Sequence, residues 1–220
     1  MPPADSASKL AQTWAAFRNE GIRAVVIKAL QELNHYRRLS LIEVPLEPRS
    51  ARLVPGGRIA IRSLEGTEAD LQAYSRLRPD VPLEEVRARL NAEHRCFVAS
   101  LDGWLASAVW IATGRVRIDY LDCDLELAAG DVYAYEAFTL PELRGQDLAS
   151  WRSELMRQHV RANGGQRLIG AQLAENRSQA RRVARRGLAR LGVMGWIGVG
   201  PWRHRFVRPR RGVRYLGRLR

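Results

Sequence analysis

The stretch Glu136 to Ala149, EAFTLPELRGQDLA, carries the residue types and spacing best suited to chemistry. A strand-like run ends at Leu140, Pro141 turns the chain, and Arg144-Gly145-Gln146 lead straight into a helical pattern. A helix start reached through glycine is an anion cradle. Its first N–H groups have no intrahelical partner, its dipole end is positive, and glycine lets a ligand come close to the backbone. A pyrophosphate is the natural ligand of such a cradle. A second stretch follows the same logic: a strand ends at Ala174, Asn176-Arg177-Ser178 enter an arginine-rich helix, and Gly187-Leu188 close it. His94, Cys96 and Cys123 share no metal-ligand spacing, and two cysteines cannot build a zinc site or a disulfide framework, so no metal is expected.

These residues need elements to hold them. Apolar residues at helical spacing (Leu10, Trp14, Phe17, Val26, Leu30 and Leu33) predict helices between Lys9 and Arg38, broken near Gly21. Leu39 to Leu46 reads as a strand, and Pro45 places it at a sheet edge. Beyond a linker at 47–57, Arg58 to Ser63 predicts a strand, Thr67 caps a helix to Leu77, and Pro82 opens another to about Glu93. Arg95 to Ser100 and Trp104 to Ile111 form a hairpin through Asp102-Gly103, and Arg115 to Leu121 extends that meander. Asp131 to Leu140 is a strand, Gln146 to Ala162 an amphipathic helix stopped by Asn163-Gly164-Gly165, and Arg167 to Ala174 a strand. Ser178 to Arg186 is a helix, and two last strands flank Gly200-Pro201. Helices follow only some strands. The expectation is therefore an α/β fold with a mixed, mostly antiparallel sheet flanked by helices, with a helical N-terminal extension. The division expected is 1–57 as extension and edge strand, 58–207 as the main domain, and 208–220 as a basic tail.

The strand-loop-helix with Arg144-Gly145-Gln146-Asp147-Leu148-Ala149, approached through Pro141-Glu142-Leu143, resembles the cofactor loop of the GNAT superfamily of N-acetyltransferases, Arg/Gln-x-x-Gly-x-Gly/Ala. The Asn176 to Leu188 segment is similar to that family's asparagine-led helix ending in Gly-Phe, with leucine replacing phenylalanine. The resemblance spans about Arg58 to Val207 and implies an acyl-CoA N-acyltransferase-like fold and acetyl-CoA as co-substrate. On this reading the amides of Gln146, Asp147, Leu148 and Ala149 take the pyrophosphate, with Arg144 and Gly145 beside them. The amide of Phe138 or Leu140 polarises the thioester carbonyl. Asn176 contacts the pantetheine arm or caps its helix, and Arg181 represents an arginine-paved face in which one or two side chains meet phosphates. Glu136 is the catalytic candidate: an amine with a pKa near ~10 must lose a proton before attacking, and a carboxylate can take it directly or through water. The competing reading pairs Glu136 with a neighbouring arginine. Tyr133 and Tyr135 fall on the other face of the strand and read as core.

Two positions depart from the family pattern. Asp147 stands where the central glycine belongs, and repels a pyrophosphate unless it turns away as a helix cap. Val183 stands where a tyrosine commonly protonates the departing thiolate. These departures motivate a second reading, a catalytically degenerate acyltransferase-like module that binds nucleic acid or an anionic surface.

Charge bears on that choice. The 220 residues carry +13, and all basic side chains but Lys9 and Lys28 are arginine. No carboxylate follows Glu175, whereas fourteen arginines do, so the preceding 175 residues are nearly neutral. Part of this basic end flanks the expected cofactor site. The rest, in WRHRFVRPRRGVRYLGRLR from Trp202, leaves nucleic acid or an anionic membrane surface open as partners beside an amine-bearing acceptor. With 46% hydrophobic residues the chain can build a core, and without a secretory signal or an apolar run of about 18 residues a cytoplasmic setting is expected.

Overall fold

A computed structural model describes residues 29–30, 33, 35–48, 58–91, 93–185, 187–211 and 217–220. Most of the expected N-terminal helices, and the linker at 49–57, lie outside the described residues. The main sheet runs β10 (Trp202–Pro209), β9 (Arg190–Val199), β1 (Tyr36–Val44), β8 (Arg167–Leu173), β7 (Asp131–Thr139), β4 (Trp104–Ala112), β3 (His94–Leu101) and β2 (Ile59–Ser63). Among the described strands only β7 and β8 pair in parallel, so the sheet is mixed and mostly antiparallel, as expected. The β3–β4 hairpin turns at Asp102 and Gly103 with φ of 49° and 87°, the left-handed pair that matches the twist of its strands.

Helices and a second small sheet cover the two faces. α1 (Glu68–Leu77) and α2 (Leu83–Arg89) bury Leu71, Tyr74, Leu77 and Val86 against Cys96, Val98 and Trp110. Thr67 caps α1 as predicted, its hydroxyl accepting from the Asp70 amide at 3.2 Å. α3 (Leu148–Ala162) packs Met156 and Val160 on Val109, Ile111 and Leu168, residues that strand alternation places on the other face. α4 (Arg177–Arg185) follows β8.

Two placements differ from the sequence reading. β1 is not an edge strand: it hydrogen-bonds β8 on one side and β9 on the other. Pro45 falls just after Val44, beyond the ladder, where its missing N–H costs nothing. Arg115 to Ile118 forms β5, which leaves the meander and pairs with β6 (Cys123–Glu126) and, through it, β11 (Arg218–Leu219). This small sheet and the helical turn Asp119–Leu121 between its strands bury Val116, Ile118, Leu121 and Leu125 against Leu41, Met194 and Trp196 of the large one.

Candidate functional site

The site begins where two strands part. β7 and β8 pair only from Asp131–Arg167 to Ala134–Gly170, although β7 continues to Thr139 and β8 to Leu173. At the closed end Arg167 grips Asp131 with two hydrogen bonds, Nε to Oδ1 at 2.9 Å and Nη2 to Oδ2 at 2.5 Å, both side chains buried. Such a desolvated bidentate pair fixes relative strand position more than it adds stability. Beyond Ala134 the strands diverge.

A β-bulge sharpens the divergence. Ala108 faces Phe138 and Trp110 faces Tyr135, so Val109 alone opposes both Glu136 and Ala137. Glu136 takes φ of 45°, a left-handed conformation unusual for a residue with a Cβ. The inserted residue has no ladder partner of its own, which sets the main chain at Glu136 and Ala137 apart from the regular pairing on either side. The Leu140 amide, named above as an alternative donor to the thioester carbonyl, instead donates to Ala106 O at 3.0 Å.

One side of the gap opens into a cleft of about 780 Å³ lined by Ala137, Phe138, Thr139, Arg144, Gly145, Asp147, Leu148, Ala149, Ser150 and Arg185. Leu148 is buried against Ala99 and Ala106, and this anchor holds the start of α3 to the sheet. The first bonds of α3 run from the Ser150 and Trp151 amides to Asp147 O, so the amides of Leu148 and Ala149 precede the helical ladder. Gly145 has φ of 87°, and a Cβ there would meet nothing within 4 Å: the glycine serves the turn and leaves the cradle open. The lining fits an anionic ligand, with Arg144 and Arg185 on its rim. Asp147 is the exception. Its φ of 57° makes no side-chain cap bond, and its Oδ1 accepts from Ser150 Oγ at 3.1 Å. The expected cap geometry is therefore not what the carboxylate adopts.

The other side holds a pocket of about 390 Å³ with Leu39, Tyr120, Tyr133, Tyr135, Glu136, Leu173 and Asn176 among its walls. Arg89 Nη1 lies 2.6 Å from Glu136 Oε1, so the arginine-paired arrangement anticipated for this carboxylate is present. Glu136 Oε2 is buried and, among the described residues, has no hydrogen-bond partner, which keeps an acceptor on that carboxylate. Arg89 also pairs with Glu85 and lies 5.9 Å from the ring centres of both Trp110 and Tyr135. Burial works against its charge, but Glu136 and Glu85 more than offset it, and its pKa is raised. Tyr133 and Tyr135 stack at 6.2 Å on one face of β7. The Tyr135 hydroxyl meets His94 Nδ1 at 2.8 Å, while His94 Nε2 lies 3.1 Å from Arg115 O. A carbonyl only accepts, so Nε2 carries the proton and Tyr135 donates to Nδ1. Burial lowers the His94 pKa and raises that of Tyr135, which keeps both neutral.

Of the residues singled out from sequence, Phe138, Arg144, Gly145, Asp147, Leu148 and Ala149 meet in the cleft, and Glu136 and Asn176 in the pocket. Asn176 O accepts from the Ala180 amide at 2.9 Å, the position before a helix. Leu140, Gln146 and the exposed Arg181 are not among the lining residues, and Arg185, one turn beyond Arg181, is. Val183, where the resemblance expects a tyrosine, is buried at 5% exposure. Ala137, Arg89 and Tyr120 escaped the sequence reading. Nothing local marks the bulge, and the other two reach the site from distant segments. Among the described residues no cluster of histidine, cysteine and carboxylate side chains could hold a metal ion.

No family model matches the chain, and no curated protein does. Solved structures do. An aminoglycoside N-acetyltransferase in complex with CoA aligns with a TM-score of 0.46 and 18% identity, over 61% of this chain and 91% of that one. A protein of unknown function from Staphylococcus epidermidis gives 0.47 and 13%, over 80% and 66%. A ribosomal-protein-S18-alanine N-acetyltransferase from Escherichia coli gives 0.43 and 14%, over 59% and 77%. A GNAT-family protein from Novosphingobium aromaticivorans, at 0.44 and 18% over 72% and 61%, also stands among the structures to which this chain is similar.

Proposed function

We propose that this chain is an N-acyltransferase that moves an acyl group, acetyl foremost, from a coenzyme A thioester to an amine. The observation that carries the reading is the gap between β7 and β8, with a bulge on one wall, a cleft lined by Arg144 and Arg185 on one side and a carboxylate pocket on the other. Coenzyme A supplies an activated acyl carbonyl when bound. Arg144, Arg185 and the amides of Leu148 and Ala149 hold its phosphates, and a main-chain amide at the bulge donates to the acyl oxygen. Holding both substrates across one gap converts an encounter into a positioned attack, the largest contribution available without a cofactor of the protein's own. Glu136 receives the amine proton on Oε2, directly or through water, while Arg89 keeps the other oxygen oriented. With Val183 where a tyrosine acid would stand, water protonates the departing thiolate, which is acidic enough to need no stronger donor.

Calorimetry with coenzyme A, followed by thiol release from acetyl-CoA across a panel of amino sugars, polyamines, amino acids and peptides, tests the reading. Micromolar affinity and amine-dependent release are expected. Glu136→Gln should lower turnover about 10²-fold or more while leaving coenzyme A affinity within about threefold. No heat at high-micromolar coenzyme A would sink the proposal.

A further inference from the structure

Strand pairing alone does not hold the bulge. Arg152 reaches inward from α3, 3% exposed, and its Nη1 donates to Phe138 O at 2.9 Å, to Ala108 O and to Ser107 Oγ. Ser107 Oγ also bonds Phe138 O at 2.8 Å and Thr139 Oγ1 at 2.7 Å. Arg152 thus grips both strands immediately beside the bulge, and two of the residues in its network, Phe138 and Thr139, line the cleft.

The guanidinium is costly to keep there. It is in no ion pair among the described residues, and its Nε is buried without a partner. Burial pushes its pKa down to about 10, which still leaves it protonated at neutral pH. Satisfying the Ala108 and Phe138 carbonyls needs only a neutral donor, yet the group supplied is a full cation. A buried cation facing no anion in the resting protein is well suited to an anion that appears only during a reaction.

We propose that Arg152 is a positioning residue for acyl transfer: it fixes the carbonyls beside the bulge so that the main-chain amide there faces the cleft, and its unpaired charge stabilises negative charge developing on the acyl oxygen. The role rests on the acyl-transfer reading above. The test uses the full chain and acetyl-CoA labelled with carbon-13 at the thioester carbonyl, whose resonance moves downfield when the carbonyl is polarised. The wild-type protein should shift it on binding. Arg152→Lys should retain most of that displacement. Arg152→Gln, which can still donate hydrogen bonds but is neutral, should lose most of it, with coenzyme A affinity changed less than about threefold. Arg152→Met is a second neutral variant of similar volume and decides the matter if the glutamine variant does not fold. A shift kept in the neutral variants, or lost equally in Arg152→Lys, overturns the role while leaving acyl transfer standing. Failure of labelled acetyl-CoA to bind the wild-type protein overturns the acyl-transfer reading and this role with it.

Discussion

Asp147 shows how one residue can satisfy backbone geometry and oppose the proposed ligand at once. At φ of 57° it occupies a conformation that glycine adopts freely and that aspartate tolerates better than most residues with a Cβ. The chain therefore makes this turn with a carboxylate-bearing residue. The cost falls on electrostatics, because the carboxylate lines the same cleft as Arg144 and Arg185 and is steadied by Ser150. Asp147→Gly should tighten coenzyme A binding by about tenfold, roughly 1.4 kcal/mol, and relieve strain in the free protein as well. Calorimetry under matched salt checks this. Unchanged affinity would mean that the bound phosphates lie away from the carboxylate. At this scale the sequence was informative where a residue type has one strong use, as with Gly145. It named the Glu136 carboxylate but not its backbone, where a left-handed residue that is not glycine hides the bulge.

Elements were legible from periodicity, capping and turn chemistry, but their neighbours were not. The Asp102-Gly103 hairpin and the Thr67 cap are local signals and were read correctly. β1 is the counterexample. Its pairing with β8 and β9 joins segments more than a hundred residues apart, and a proline one residue beyond its end imitates an edge signal. Both faces of β1 meet other side chains: Leu39 and Leu41 enter the core shared with the small sheet, while Val44 packs toward the α3 side. The strand therefore bridges β8, one wall of the site, to the C-terminal hairpin. Leu41, 1% exposed at the centre of β1, reports on that bridge. Leu41→Ala should cost about 3 kcal/mol, through lost burial plus a cavity that a two-sided strand cannot collapse. Urea unfolding measures it. A loss below about 1 kcal/mol would be the behaviour of an exposed edge rather than of an interior strand.

Across the whole molecule, the basic excess is partly spent inside the fold. Arg203 meets Asp122 at 3.1 Å, Arg220 meets Glu126 at 2.7 Å, and Arg185 lines the cleft, so arginines beyond Glu175 return to acids in and beside the small sheet and to the candidate phosphate site. Linear position alone could not reveal this, because β10 and β11 fold back over segments far earlier in the chain. The surface pairs are weak individually, so the pH response should follow the buried groups. His94 and His159 both have pKa values lowered from 6.5, by burial first. A group whose folded pKa is depressed binds its proton more readily in the unfolded chain. Its stabilising effect is complete above about 6.5 and declines as pH falls toward the folded value. Asp70 is lowered as well: burial opposes its charge, but hydrogen bonds from Arg62 and the Glu65 amide outweigh it, so its contribution disappears only below about pH 4. Two descending steps should follow in a melting series, one as pH falls below about 6.5 and a second below about 4. His94→Gln should flatten the first and leave the second intact. An unaltered first step in both His94→Gln and His159→Gln would show that neither imidazole is held neutral by the fold.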